Sequence, residues 1–362
     1  MPGRLMHGKE TSTTSSIPWL AMALAYVGTV VGAGFASGQE VLQFFGLLGR
    51  PGIAGIVLAA AGFAFFGYVI MDLGRIERAT SHLPVIRSAV GKVLTPFVDF
   101  VVTFFLFGAT CAMFAGAGSV LRQEFGLPWV WGASAMAAAS VFTVVFGLKG
   151  VVSSLSAVAP FLIGAVILVS MKATSARGLK LPAPPPGYGP VLPGWFVSGA
   201  AYVSYNIIMA VPVLAAMGAR TSTSSDLRKS SLAGASGLGL CLLAVYLALV
   251  SNFPDSLRYE VPMARFAELI HPSGKLIYSA VFLLEVYTTA VADLFGLASR
   301  LRPEDTPAFK LVVFASALAA LLVARTGFST LVRTVYPLAG VAGLLFLSGL
   351  LLTAVRRIHW GH

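Results

Sequence analysis

Charged residues are scarce in this chain: only 11% of its 362 residues are Asp, Glu, Lys or Arg, and 57% are hydrophobic. Soluble domains carry roughly 25% charged residues. This scarcity excludes a water-soluble globular protein and predicts an integral membrane protein with little soluble mass. The formal net charge of +11 comes from residues in short loops, where Lys and Arg orient membrane proteins. We therefore expect a lipid bilayer and no nucleic acid as the chain's partner.

The sequence also has few residues of the kinds that build catalytic or metal centres. Its two cysteines, Cys111 and Cys241, lie in apolar segments and are typical of small buried residues, with no disulfide expected. Its five histidines are scattered in tails and loops and form no metal-binding pattern. A Gly-x-x-x-x-Gly-Lys phosphate loop is lacking, so direct use of ATP is not expected. These absences argue against an enzyme and against a bound cofactor.

Long apolar runs, in contrast, are abundant. A membrane-spanning helix needs about 20 mostly apolar residues, and ten segments meet that requirement. A polar tail, residues 1–16, precedes them, and a short amphipathic helix within 262–270 is expected to lie over an entrance. The ten segments are 17–45, 51–74, 95–121, 127–147, 150–171, 191–218, 231–251, 275–299, 308–324 and 327–355.

The basic residues and the segment count predict how these spans are arranged. Fifteen Lys and Arg residues lie in tails and loops on the side of the membrane that holds the N-terminus, and nine lie in loops on the other side. This excess predicts a multi-pass cell-membrane protein with both termini cytoplasmic. A proline-rich linker, 172–190, divides the spans into five and five. An odd number per half gives the halves opposite orientation, the arrangement of an inverted repeat. We therefore predict a single transporter domain over 17–357, with repeats at 17–171 and 191–357.

The first segment contains the most informative motif. Four glycines fall within eleven residues, 28–38, and Gln39 and Glu40 follow. Glycine weakens a helix, and polar side chains are costly in lipid. Two interpretations are open: a close helix–helix contact, or a broken helix that forms a substrate site. The polar residues favour the break, where N–H groups of Gly32, Ala33 and Gly34 would bind a carboxylate.

The repeat predicts a second break in the sixth segment. Ser204, Tyr205 and Asn206 form a polar cluster there, and Pro212 follows. Proline removes a helical donor, and asparagine readily leaves helical geometry. The alternative is one helix with a proline kink and an interhelical Asn contact. If the break exists, Tyr202 and Tyr205 flank it and are candidates, with Ser204 and Asn206, for the solute pocket.

The eighth segment places polar groups on one helix face. Glu285 lies three and four residues before Thr288 and Thr289. The two hydroxyls could bind a small hard cation or could bond to their own helix. Glu285 could carry a coupling proton, neutralise a bound cation or bond to a neighbouring helix. Asp293 is a candidate gate or cap, and Glu40 of the first segment is expected to line an external vestibule.

The opening motif also carries a resemblance. Residues 25–40, AYVGTVVGAGFASGQE, resemble the signature of YkvI-type bacterial membrane proteins, a family assigned to amino-acid permeation. That family is similar to the amino acid–polyamine–cation superfamily, which has the LeuT fold with helices 1 and 6 unwound. Many of its members are driven by sodium. The resemblance implies an all-α protein of ten transmembrane helices, with Ser204–Asn206 on the unwound part of helix 6.

The resemblance further implies a sodium site. Carbonyls of Gly28 and Val31 would meet the hydroxyls of Thr288 and Thr289. Glu285 falls where sodium-coupled members offer a backbone carbonyl from a small residue, which leaves proton coupling open.

Together these features predict a secondary transporter of a small polar or zwitterionic organic solute, with an amino acid as first candidate and sodium as coupling ion. One alternative is proton coupling through Glu285. Another is a ligand sensor or receptor subunit that keeps the fold without moving solute. A channel fits least, because broken helices suit an occluded site. The oligomeric state is left open.

Overall fold

The computed structural model describes residues 17–190, 192–221, 223–259, 261–326 and 343–356. Every regular element in this part of the chain is helical, and seven of the helices are long and apolar enough to cross a membrane. The N-terminal tail and residues 327–342 of the predicted tenth segment lie outside the described residues. The all-α membrane architecture expected from the sequence is thus confirmed.

The first predicted span consists of three short helices. They are α1 (Trp19–Val30), α2 (Ala33–Ser37) and α3 (Gln39–Phe44). The remaining helices are α4 (Gly52–Ile76), α5 (Leu83–Phe125), α6 (Trp129–Val144), α7 (Gly147–Arg177), α8 (Gly194–Ala219), α9 (Ser224–Ser251), α10 (Pro262–Glu268), α11 (Gly274–Leu301), α12 (Pro307–Val323) and α13 (Gly343–Arg356).

Two differences from the predicted segments concern helix continuity. The break expected in the sixth segment is wrong, because α8 runs from Gly194 to Ala219 without interruption. The third segment begins earlier than expected, at Leu83, and contains a non-helical residue, Gly91, with φ 73°. The short helix expected within 262–270 is confirmed as α10.

The broken first span lies in the centre of the bundle. Helix α1 packs against α7, α8, α9 and α11, and its residues from Tyr26 to Val30 are buried. Helix α8 packs along α4, and glycines lie at the contact between the two helices. A Cβ atom at Gly218 would lie 1.9 Å from the carbonyl oxygen of Met71, and one at Gly74 would lie 2.2 Å from that of Ala215. Glycines at these positions let the backbones of two membrane helices come into direct contact.

Ion pairs tie helices together at the end of the bundle where α8 and α11 finish. Asp99 of α5 accepts two 2.7 Å hydrogen bonds from Arg300 of α11. Glu304, which follows α11, pairs with Arg220 after α8 and accepts a 2.7 Å bond from the backbone N–H of Leu148 in α7. This end is therefore closed by contacts among four helices.

Candidate substrate and ion site

The first span breaks where the glycine motif predicted. Val31 has extended backbone angles (φ −72°, ψ 119°), and Gly32 follows with φ −134° and ψ −176°. Helical bonding stops at Val31, whose N–H bonds to Val27, and resumes at Ala36, whose N–H bonds to Gly32. Between those two bonds the chain leaves the helical conformation at Val31 and Gly32, and the helical pairing of the backbone is interrupted there. The break therefore offers free N–H and C=O groups in the protein interior.

Helix α11 supplies a partner for one of these free groups. The hydroxyl of Thr289 donates a 3.2 Å hydrogen bond to the carbonyl oxygen of Val31. Both residues are buried, with 1% and 2% of their surfaces exposed. Gly32 makes this approach possible, since a Cβ atom there would lie 3.2 Å from Thr289 Oγ1. Two of the four residues predicted to bind sodium are thus in direct contact.

The other two predicted sodium ligands have local contacts. Thr288 is fully buried, and its hydroxyl donates a 3.0 Å bond to the carbonyl oxygen of Glu285 in its own helix. Gly28 packs on α7, where a Cβ atom would lie 3.2 Å from the carbonyl oxygen of Leu155. Hydroxyl and carbonyl oxygens are ligands that small hard cations prefer. The residue types fit a sodium ion, and Glu285 contributes a carbonyl oxygen beside Thr288.

Two tyrosines of α11 hold this helix against its neighbours. Tyr287 bonds through its hydroxyl to Thr143 of α6 at 2.6 Å and to Ser154 of α7 at 2.7 Å. Tyr278 donates a 2.6 Å bond to the carbonyl oxygen of Ala36, at the far end of α2. Tyr278 was not among the predicted site residues. Its spacing, seven residues before Glu285 and hence on the same helix face, was the available signal.

A second break follows the first and was not predicted. Gly38 separates α2 from α3 in the left-handed conformation (φ 84°), which glycine adopts without steric cost. A Cβ atom at Gly38 would lie 3.0 Å from Met263 of α10. Gln39 donates a 2.8 Å bond to the carbonyl oxygen of Tyr259 in the segment before α10. This part of the first span is therefore covered by α10 and the segment before it.

The polar residues and the proline of α8 make contacts that are compatible with a continuous helix. The side-chain amide of Asn206 donates a 2.9 Å bond to the carbonyl oxygen of Tyr202, one turn earlier. The ring of Pro212 packs on Gly296 of α11, where a Cβ atom would lie 2.7 Å from proline Cγ. Ser204 faces α13, where a Cβ atom at Gly343 would lie 2.2 Å from its Oγ. Local bonding and close packing explain why this predicted break does not occur.

Glu40 and the tyrosines of α8 meet beside the break. Tyr205 donates a short hydrogen bond to the Glu40 carboxylate. Tyr202 and Tyr205 pack edge-on, with ring centroids 5.6 Å apart, and Phe44 of α3 lies 5.4 Å and 5.8 Å from them. A Cβ atom at Gly34 would lie 1.9 Å from Glu40 Oε1, so the carboxylate folds back over α2. Glu40 thus lies over the interior break.

The two carboxylates of α11 are fully buried. Neither Glu285 nor Asp293 has a hydrogen-bond partner for its side-chain oxygens among the described residues. Asp293 lies eight residues, about two helical turns, beyond Glu285 along α11. An unpaired carboxylate inside a membrane protein is costly and marks a functional site by default.

Two cavities lie at different ends of the bundle. One, of about 460 Å³, is lined by Tyr259, Arg265, Glu268, Lys275 and Tyr278 and opens beside α10. The other, of about 200 Å³, is lined by Pro18, Lys149, Ser153 and Arg220. Glu285, Thr288 and Thr289 line neither of these two cavities. The first cavity reaches Tyr278, whose hydroxyl bonds to Ala36 of α2.

Solved transporters share this architecture. The chain aligns with a Na⁺-coupled sialic acid symporter in a substrate-bound outward-open state, with a TM-score of 0.67 and 14% identity over 92% of this chain and 79% of that one. It aligns with MhsT in complex with L-phenylalanine at a TM-score of 0.66 and 16% identity, over 95% and 89% of the two chains. A manganese transporter from Eremococcus coleocola gives 0.58 and 13% identity, over 98% and 80%. These likenesses establish a LeuT-type fold and belong to transporters rather than enzymes.

Relatives by sequence come from Bacillus subtilis (strain 168). The uncharacterized membrane protein YkvI is 29% identical over 91% of this chain and 94% of its own length. The uncharacterized protein YyaD is 30% identical over 93% of this chain and 96% of its own length. No family model matches the chain. The glycine motif, the broken first span and these full-length similarities lead to one conclusion: the chain belongs to the family of bacterial membrane proteins that includes YkvI and YyaD.

Proposed function

We propose that this protein is a secondary active transporter that couples sodium to the movement of a small polar or zwitterionic organic solute, with amino acids as first candidates. The observation that carries the proposal is the contact between the break and α11, where Thr289 Oγ1 lies 3.2 Å from the carbonyl oxygen of Val31. A sodium ion bound by Gly28, Val31, Thr288 and Thr289 would hold α1 and α11 together. Release of the ion would let them separate.

The solute would bind beside that ion. Free N–H groups at Gly32, Ala33 and Gly34 can donate to an anionic or polar group, and Tyr202, Tyr205 and Asn206 line the α8 side. The transporters of similar fold support this arrangement, because one is a Na⁺-coupled symporter and another was solved with L-phenylalanine. We also propose that both termini are cytoplasmic, which the distribution of Lys and Arg favours.

Thermal stability of the detergent-purified protein tests the ion and the solute together. Each member of an amino-acid panel is added in sodium buffer and in choline buffer, and the apparent Tm is recorded. A bound solute at 100 times its Kd stabilises by about 2.7 kcal/mol, which corresponds to a shift of a few degrees. We expect a shift that needs sodium. Equal shifts in sodium and choline would contradict sodium coupling and favour proton coupling through Glu285.

The sodium residues are tested by the double variant Thr288→Ala/Thr289→Ala. We expect it to fold and to lose the sodium-dependent part of the shift, since two of the proposed ligand oxygens are removed. Ser140→Ala is the matched control, because Ser140 is also fully buried and bonds to its own helix, at Met136 O. Sodium dependence that persists in the double variant would reject the site.

Transport itself is tested in proteoliposomes. A solute that stabilises the protein in sodium should accumulate inside vesicles when an inward sodium gradient is imposed, and should not accumulate when the gradient is collapsed. Stabilisation without accumulation would identify a ligand sensor on the same fold and would contradict the transporter proposal.

A further inference from the structure

We propose that the smaller of the two cavities binds the phosphodiester group of an anionic phospholipid. This cavity, of about 200 Å³, lies where the first span and α7 begin and where α8 has just ended. It is lined by Ile17, Pro18, Ala21, Lys149, Val152, Ser153, Ser156 and Arg220. The site is separate from the break in the first span, and it requires neither the proposed solute nor the proposed coupling ion.

The first observation is the set of polar groups in the lining. Lys149 lies in α7 and Arg220 directly follows α8, so two cations reach one cavity from different elements. Among the described residues, no Asp or Glu lines it. Ser153 and Ser156 of α7 add hydroxyl groups. Lysine and arginine are the side chains that bind phosphate oxygens most strongly, so this lining suits a phosphate group.

The charge around the cavity points to a group with one negative charge. The carboxylate of Glu304 pairs with Arg220 and accepts a 2.7 Å bond from the N–H of Leu148. That N–H at the start of α7 therefore already has its acceptor. Lys149, Arg220 and Glu304 together carry a net charge of +1. A phospholipid phosphodiester carries one negative charge and balances the three.

The second observation is a change of character along the exposed face of α7. At the cavity end the exposed residues include Lys149 and Ser153. Further along the same helix they include Ala157, Phe161 and Leu168. Spacings of four and seven residues keep these positions on one stripe of a helix. A phospholipid has a charged headgroup followed by apolar chains, whereas a free phosphate ion would use only the first part of this stripe.

The third observation places the cavity at the level of lipid headgroups. Trp19, the first residue of α1, follows Pro18 of the cavity lining and is 40% exposed. Tryptophan concentrates at the interface between membrane and water. The proposed topology makes this end of the bundle cytoplasmic, and the cytoplasmic leaflet carries a negative surface potential from its anionic lipids. Basic pockets between membrane helices on that side bind lipid headgroups.

Arg220 links this lipid site to the closed end of the bundle. The same guanidinium group lines the cavity and pairs with Glu304, which follows α11. A phosphodiester bound to Lys149 and Arg220 would hold α7 and the end of α8 together beside the start of the first span. Because the lipid would bind the folded protein in this arrangement, its binding should raise the apparent Tm.

Three compounds test whether the ligand is an anionic lipid. Dioctanoyl phosphatidylglycerol is the anionic lipid, and dioctanoyl phosphatidylcholine has the same chains and phosphate but no net charge. Glycerophosphoglycerol is the anionic headgroup without chains. Each is added to the purified full-length protein in a nonionic detergent, and the apparent Tm is recorded against concentration. We expect a saturable rise with dioctanoyl phosphatidylglycerol and no rise with the other two.

Variants then locate the site. Lys149→Gln removes one cation and should raise the apparent Kd for dioctanoyl phosphatidylglycerol about fivefold. Arg220→Gln should act in the same direction. Lys172→Gln makes the same chemical change at an exposed position near the other end of α7 and outside both cavities. This control should leave the Kd unchanged.

Each other outcome would overturn a stated part of the proposal. Equal shifts with the two lipids would mean that the acyl chains alone stabilise the protein. A shift with glycerophosphoglycerol as large as that with the anionic lipid would assign the cavity to a free phosphate ester. An unaltered Kd in both Lys149→Gln and Arg220→Gln would place the lipid elsewhere, and no shift with any compound would reject the site. None of these results bears on sodium or solute binding, so the proposed function is tested separately.

Discussion

The first and sixth spans hold equivalent places in the predicted repeats, and each carries residues that disfavour a helix, yet of the two only the first is broken. The first span loses its helical bonding between Val31 and Ala36. The sixth span, α8, stays helical through both Asn206 and Pro212. In the first span the freed carbonyl oxygen of Val31 accepts a hydrogen bond from Thr289, which lies 258 residues later in the chain. In α8 the side chain of Asn206 bonds to its own helix instead.

In this molecule the broken span is the one in which another helix bonds to a freed backbone group, the carbonyl oxygen of Val31. Glycines at 28 and 32 let α7 and α11 approach the first span closely. Helix α8 is supported along α4, where glycines bring the two backbones into contact. Its polar residues therefore gain nothing from leaving the helix, since an unpaired backbone group in a membrane costs several kcal/mol.

The largest effect is expected from breaking the α4–α8 contact with Gly218→Ala. The added Cβ would lie 1.9 Å from the carbonyl oxygen of Met71, and a backbone atom cannot move aside as a flexible side chain can. We expect the free energy of unfolding to fall by about 1–3 kcal/mol, seen as a lower apparent Tm. Gly164→Ala, inside α7 with nothing within 4 Å of the new Cβ, is the control and should not lower it. Equal behaviour of the two variants would show that the close contact does not support α8.

A smaller effect is expected from loosening the broken span with Tyr278→Phe. The change removes the 2.6 Å bond to the carbonyl oxygen of Ala36 and leaves the ring in place. A hydrogen bond of this kind contributes about 1 kcal/mol, so the apparent Tm should fall by a few degrees. Tyr188→Phe, on the exposed linker between α7 and α8, should leave it unchanged. A Tm equal to that of the unmodified protein would mean that α2 does not need this bond.

The smallest effect is expected from Asn206→Leu in α8. The amide bonds within its own helix, and the carbonyl of Tyr202 keeps its helical partner when the side chain is replaced. We expect the free energy of unfolding to change by less than about 0.5 kcal/mol. Thermal unfolding in the absence of solute measures it. A loss of unfolding free energy as large as that of Tyr278→Phe would show that Asn206 stabilises α8, the helix that was predicted to break at this residue.

The sequence predicted what depends on local chemistry. The density of glycines placed the first break within residues 28–38, and the runs of apolar residues located most spans. The contact between Val31 and Thr289 was expected from a resemblance, since nothing local joins residues so far apart. The identity of the residues that bind sodium or solute stays a prediction, as do the limits of the two repeats.

What the sequence did not predict depends on contacts between helices. The continuity of α8 follows from its packing on α4 and α11, and the second break at Gly38 follows from a positive φ beneath α10. Glu40 was expected in an outer vestibule because of its distance along the chain from the break. Its fold-back over Gly34 could not be predicted, since it requires both the turn at Gly38 and the hydroxyl of Tyr205.

The 258 residues between Val31 and Thr289 also set an order of events during biosynthesis. Chains grow at about 5–20 residues per second, so α11 is made roughly 13–50 s after the first span. During that interval the carbonyl of Val31 has no Thr289 to meet, and hydrocarbon offers no substitute. The first span is therefore expected to enter the bilayer as an uninterrupted helix and to open only when α11 arrives. The site would then form only after more than four fifths of the chain had been made.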